Sequence, residues 1–225
     1  MSDSVNDFVL FAHRGDNRNY TENTLDAFRS SMKAGYRAIE LDLVRLRDGN
    51  IVVFHDDDLE RICGIKKTIS EVVLDEFRNL FPALLTFDDL VKNFSESAIE
   101  INLEIKDDAK TLEMIAESAG RLRHPVISSF HPDIVDLAIE RGFEGAYLFD
   151  NFFSFFKRKY FLKSRRVHIA ARMILQSPLA GCIFSDYDVY CYTVNDVETA
   201  LRLKKKSFVR GIFTDRVEMI SELVA

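Results

Sequence analysis

The chain has 225 residues, 47% of them hydrophobic, and a formal net charge of −6. That length suits one larger domain or two small ones with a full core; the acidic balance argues against a nucleic-acid binder, and no apolar run approaches the roughly 20 residues that span a membrane. The opening MSDSVNDFVL lacks the basic start and apolar stretch of a secretory signal, and the scattered cysteines Cys63, Cys182 and Cys191 show neither metal spacing nor a disulfide framework, so a reducing cytoplasm is expected.

Strand-like and helical runs alternate from end to end. Phe8 to Ala12 reads as a strand, and Glu22 to Ala34 as a helix ended by Gly35. Ala38 to Leu43 is a strand, with a short one at Ile51 to Phe54 after the Asp48-Gly49 turn. Helices are expected at Ser70 to Phe77 and Phe87 to Phe94, a strand at Ile99 to Ile105 and a helix at Ala109 to Ala119. Val126 to Ser129 is a strand and Asp133 to Arg141 a helix; His124, before Pro125, reads as loop. Strands follow at Gly145 to Phe149 and Val167 to Ala170, with a helical aromatic stretch between them. Asp188 to Val194 and Gly211 to Thr214 are the last strands, each followed by a helix, at Val197 to Lys205 and Val217 to Val224. Roughly eight β-then-α units favour a (β/α)8 TIM barrel over an open sheet.

The charged residues gather at strand ends. FVLFAHRGD runs a strand into His13, Arg14 and Gly15, and IVVFHD runs another into His55 and Asp56. Residues two apart on a strand share a face. Glu40 and Asp42 therefore point one way while Ile39, Leu41 and Leu43 point the other; Asn102, Glu104 and Lys106 oppose Ile101, Leu103 and Ile105 in the same manner. Three crowded carboxylates repel one another unless a cation or protons compensate. Oxygen ligands of this kind suit Mg²⁺ or Ca²⁺. Arg14 and Lys106 at the same rim suit an anionic group such as phosphate. Two histidines, titrating near neutral pH, can divide acid and base roles. The residues point to metal-assisted cleavage of a phosphate ester at a barrel mouth.

The run HRGDNRNYTENTLDAF, then AIELDL, DG, IVVFHDDDLER, INLEIK, ISSF, YTVN and GIFTD, resembles the glycerophosphodiester phosphodiesterases, from Ala12 to Asp215 and in the same order. The resemblance implies a (β/α)8 barrel that hydrolyses glycerophosphodiesters to glycerol 3-phosphate and an alcohol with a divalent cation. It places His13 and His55 at the catalytic positions, Glu40, Asp42 and Glu104 at the metal positions, and Arg14 and Lys106 at the phosphate contacts. It also implies an insertion after the HD motif, here shortened to about residues 57–85, within a single domain spanning 1–225. The chain departs from the family pattern at Thr21 (usually Pro), Leu46 (usually Thr) and Tyr192 (often Trp). None of these is an acid-base or metal position, and Tyr192 can still offer a ring face to glycerol. A lysophospholipase D-type enzyme acting on lysolipids at a membrane, and a non-catalytic phosphate-ligand binder, are the alternatives.

One segment falls outside this reading. Residues 151–166, NFFSFFKRKYFLKSRR, interleave six aromatic with six basic residues. They could form a peripheral membrane patch, an outer helix packed on the barrel, or a dimer contact. The oligomeric state is open.

Overall fold

The computed structural model describes residues 8–224. Its strands are β1 (Val9–His13), β2 (Ala38–Arg45), β3 (Ile51–Val53), β4 (Glu100–Ile105), β5 (His124–Ser129), β6 (Glu144–Phe149), β7 (Arg166–Ala170), β8 (Asp188–Tyr192) and β9 (Val209–Thr214). All but β3 pair in parallel, in the order β1-β9-β8-β7-β6-β5-β4-β2, and β1 pairs with β2 to close the ring. This is the expected (β/α)8 barrel. The third strand lies outside it, antiparallel to β2 through the Asp48-Gly49 turn.

The helices are α1 (Leu25–Lys33), α2 (Glu60–Cys63), α3 (Leu74–Leu80), α4 (Phe87–Phe94), α5 (Ala109–Ala119), α6 (Pro132–Glu140), α7 (Phe152–Arg158), α8 (Ala171–Gln176), α9 (Ala180–Phe184), α10 (Val197–Lys204) and α11 (Met219–Val224). Side-chain caps fix where several begin. Thr24 accepts from Ala27 N, Thr86 from Asp89 N, Asn151 from Ser154 N and Asp196 from Thr199 N; each such cap contributes about 1 kcal/mol.

Several boundaries differ from the sequence reading. The first helix starts at Leu25, not Glu22, because Asn23 is left-handed (φ 59°) and Thr24 takes the cap. The single helix expected at 70–77 is a 3-10 turn, Ile69–Glu71, followed by α3, with extended residues at Val72 and Val73 between them. His124 is not loop but the first residue of β5, in register with Glu100. The short helices α2, α8 and α9 were not anticipated.

Along the barrel strands, outward residues pack on the helices in one continuous core that includes Ile39, Leu41, Leu103, Ile127 and Ile169. The lower end is plugged by Arg166 at the start of β7. Its guanidinium lies 4.1 Å over Tyr190 and pairs with Glu100 (2.6 Å) and Glu144 (2.9 Å). Arg166 is buried while Glu100 and Glu144 stay partly open to solvent, so the pairs neutralise the cation at the barrel floor. Phe11 and Phe213 stack beside it at 4.7 Å. With this end closed, the side chains two and four residues further along each strand face a cavity open at the C-terminal end.

Residues 57–85 pack on a second, smaller core. Phe54 and Phe77 meet edge-to-face at 5.1 Å, joined by Leu59, Val72 and Leu84. This layer lies directly after His55 and holds the chain that carries it.

Candidate active site

Strand register brings the charged residues together. His13 pairs with Glu40 across β1 and β2; Glu40 pairs with Asn102, and Asp42 with Glu104, across β2 and β4. Glu40, Asp42 and Glu104 each present an oxygen within 4.8 Å of the others. Glu40 and Asp42 are buried. Burial and the neighbouring Asp42 push Glu40 up to about 8, and the same two causes raise Glu104. Burial also pushes Asp42 upward, but Arg14 and Lys106 outweigh it and hold Asp42 below the usual carboxylate range. Glu40 Oε1 is buried without a hydrogen-bond partner. An all-oxygen cluster with an unpartnered buried carboxylate oxygen fits a hard divalent cation.

Two cations flank the cluster. Lys106 Nζ lies 3.0 Å from Glu104 Oε1 and 3.5 Å from Asp42 Oδ1. Arg14 Nη1 donates to Glu22 Oε1 at 2.9 Å, and its Nε lies 3.3 Å from Asp42 Oδ2. Arg14 sits in the left-handed region (φ 58°) and Gly15 follows at φ 81°. This turn lets Arg14 N donate to Glu40 Oε2 at 3.0 Å. A left-handed non-glycine residue costs about 1–2 kcal/mol, and here the bonds to Glu40 and Glu22 hold it in place.

Both histidines are oriented by carboxylates. His13 Nδ1 lies 2.7 Å from Asp215 Oδ1, and His55 Nδ1 lies 2.7 Å from Asp56 Oδ1. A carboxylate only accepts, so each Nδ1 carries the proton and each Nε2 is left for the cavity, which both rings line. Burial pulls the His13 pKa down, but Glu40 and Asp215 outweigh it and the net shift is upward. Asp215 is itself anchored by Asn17 and Asn195, each at 2.6 Å. Burial raises its proton affinity, yet the His13 bond leads the opposing effects and its pKa is lowered.

The cavity holds about 270 Å³. One wall is apolar, formed by Tyr192, Phe130, Leu148 and Phe213. Tyr192 meets Phe130 edge-to-face at 6.3 Å, and its buried hydroxyl has no hydrogen-bond partner among the described residues. His168 lines the deep end, where Arg166 Nε donates to its Nε2 at 3.4 Å. Burial, then the Arg166 charge, keeps this imidazole neutral, with its pKa well below the ordinary value.

His13, Arg14, Glu40, His55, Glu104, Lys106 and Tyr192 all line this one cavity, and Asp42 touches it through Arg14 and Lys106. Arg14 and Lys106, read from sequence as phosphate contacts, are also partners of the carboxylates themselves. Sequence reasoning missed Asp215 as the His13 partner, Glu22 as the Arg14 partner and Asn23, whose Nδ2 donates to Asp42 Oδ2 at 2.9 Å. Their signals were present: Asp215 closes GIFTD, and Glu22 and Asn23 belong to ENT.

The chain as a whole is similar to known proteins. The profile of the "Glycerophosphoryl diester phosphodiesterase family" matches residues 13–140. The chain is similar to a glycerophosphodiester phosphodiesterase of Caldanaerobacter subterraneus subsp. tengcongensis, 25% identical over 96% of this chain and 97% of that protein. Its fold matches the crystal structure of a glycerophosphodiester phosphodiesterase from Thermotoga maritima at TM-score 0.85 and 26% identity, covering 96% of this chain and 98% of that one. The fold of an Oleispira antarctica phosphodiesterase, solved with the product sn-glycerol-3-phosphate, also matches at TM-score 0.80, with 21% identity over 96% of each chain.

Proposed function

The chain belongs to the glycerophosphoryl diester phosphodiesterase family and hydrolyses glycerophosphodiesters; we propose that it releases glycerol 3-phosphate and an alcohol using a divalent cation and two histidines. Glu40, Asp42 and Glu104 would hold the cation, Mg²⁺ or Ca²⁺. When bound, it would withdraw charge from a phosphate oxygen and orient the diester. The convergence of these three carboxylates with two histidine–carboxylate pairs on one cavity carries the reading.

The side chains divide the remaining work. Arg14 and Lys106 offset the charge that builds on phosphorus. One imidazole Nε2 takes the proton of the attacking oxygen as its bond to phosphorus forms. The other protonates the departing alkoxide as the ester bond breaks. Asp215 and Asp56 hold the protonated Nδ1 of each ring and turn Nε2 to the cavity; the ring that acts as acid carries a second proton on Nε2, and the ring that acts as base does not. Tyr192 and Phe130 supply an apolar face for the glycerol carbons. At about 270 Å³ the cavity lies below the roughly 300–1,000 Å³ of sites that bury drug-sized ligands, which supports a compact small-molecule diester over an intact lipid chain. Both histidine pairs are intact, so nothing favours a non-catalytic binder.

Residues 57–85 shape the His55 side of the site as part of one domain. Arg61 joins Asp56 at 2.6 Å and Glu22 at 2.7 Å, tying this layer to the loop beneath Arg14. Among the described residues no helix is long and apolar enough to cross a membrane. The unpaired Cys63, Cys182 and Cys191 support a reducing cytoplasm as the working compartment.

The direct test is incubation of the purified protein with glycerophosphocholine and glycerophosphoethanolamine. Release of glycerol 3-phosphate is expected. Release of phosphocholine or phosphoethanolamine instead would overturn the assigned bond cleavage.

A further inference from the structure

Residues 151–166 build a face that the catalytic site does not use. In α7, Phe152 and Phe155 turn inward: Phe155 is fully buried and packs on Phe149 (5.3 Å) and Phe184 (4.7 Å). Phe153 and Phe156 lie on the adjoining flank of α7, where Phe156 stacks on Phe152 at 6.0 Å, and Tyr160 follows in the 3-10 turn Lys159–Phe161 beyond the helix end. Phe153 is 80% exposed and Tyr160 82%, and Phe161 beside them is 71% exposed. Leu179, 60% exposed, meets Tyr160 across a groove that also includes Ile183 and Tyr187. Scattered apolar residues on a surface need no explanation, but a contiguous aromatic patch does.

The charge around this patch is mostly positive, with Asp186 the acid that lines the groove beside Lys159 and Tyr160. Residues 151–166 carry six cations and no acid; removing those six charges from the net −6 leaves −12 on the remaining residues. Arg166, Lys163 and Arg165 lean on carboxylates of neighbouring elements. Among the described residues no carboxylate pairs with Lys157, Arg158 or Lys159. Lys159 Nζ lies 5.0 Å from the Phe156 ring centre and 4.7 Å from that of Tyr160, so cation and rings form one unit.

We propose that this flank, from Phe153 through Phe161 with Leu179, docks on the surface of a bilayer containing anionic lipid. The charge complementarity selects that occupant. A second copy of this chain would bring a net −6 body with an identical basic patch, so a symmetric contact would face cations against cations. A lipid surface accepts aromatic rings at the headgroup level and attracts unpaired lysines and arginines. α7 leaves the barrel at the end of β6, whose Leu148 lines the cavity, so docking holds the mouth close to the bilayer surface; the docking does not depend on the function proposed above.

Sedimentation of the full chain with vesicles tests this. Binding to phosphatidylcholine vesicles containing phosphatidylglycerol is expected, with little binding to phosphatidylcholine alone and a fall as salt rises. Two variants separate the contributions: Phe153→Ser with Tyr160→Ser and Phe161→Ser, and Lys157→Glu with Arg158→Glu and Lys159→Glu. Each should weaken binding at least about tenfold and leave thermal stability and hydrolysis of soluble glycerophosphocholine unchanged. Absence of vesicle binding by the unaltered chain would overturn the proposal. So would a dimer, seen by light scattering, that the serine variant dissociates while vesicle binding persists.

Discussion

His13 Nδ1 and Asp215 Oδ1, 2.7 Å apart, join the first barrel strand to the residue that follows the last. β1 and β9 are neighbours in the barrel, so the contact depends on the pairing of the first strand with the last. The negative charge of Asp215 helps hold the His13 pKa above its ordinary value. Removing that charge must lower the proton affinity of the ring. In Asp215→Asn, the His13 titration followed by NMR in chelated protein should therefore move to lower pH. A limb of the kcat/KM profile that belongs to His13 should move with it. An unchanged or raised His13 pKa would show that Asp215 does not set its charge.

His13→Ala and His55→Ala should each lower kcat by about 10²–10⁴, the usual contribution of a positioned acid or base. Stability should change little, because both rings face the cavity rather than the core. Kinetics with thermal melts of both variants check this. Near-normal turnover in either one removes that histidine from the mechanism.

Gly15 turns the chain between Arg14 and the loop to α1. Its φ is +81°, and a Cβ there would sit 2.8 Å from the Ala27 carbonyl carbon. Both the strained dihedral and the backbone clash oppose any side chain. Gly15→Ala should cost about 1–3 kcal/mol, or very roughly 2–10 °C in Tm at this size, and should reduce kcat by displacing His13 and Arg14. A variant with wild-type Tm and activity would mean that this turn does not position the site.

The barrel was legible because β2 and β4 alternate a greasy outer face with a polar inner one, and because β/α order recurs along the chain. Glu40, Asp42 and Glu104 were legible for the same reason: period-two spacing on neighbouring strands fixes a shared face. Asp215 was not, since its partnership with His13 depends on closure across 202 positions. Glu22 and Asn23 were hidden in a loop whose left-handed turn at Asn23 no periodicity reveals. The helices α2, α8 and α9 have only four to six residues, too few to display a helical repeat. The double engagement of Lys106, with Glu104 and Asp42, is a matter of distance and not of pattern.

Lys106 and Glu104 should separate substrate contact from cation contact. An ammonium repels a divalent ion, so Lys106→Ala should leave metal affinity intact or raise it while lowering turnover. Glu104→Ala removes one charged ligand and should weaken metal binding by at least roughly tenfold, with partial rescue by excess metal. Calorimetric metal titration alongside kinetics distinguishes the two. Loss of metal binding in Lys106→Ala with none in Glu104→Ala would reverse the assignment.

The central claim is that the acidic cluster works as a divalent-cation site for phosphodiester cleavage. The most direct measurement follows glycerol 3-phosphate release from glycerophosphocholine after exhaustive chelation and again after Mg²⁺ or Ca²⁺ is restored. Chelation should abolish release and one of these ions should return it, with Glu40→Ala unresponsive at the same metal concentration. Full activity in the metal-stripped protein would contradict the account.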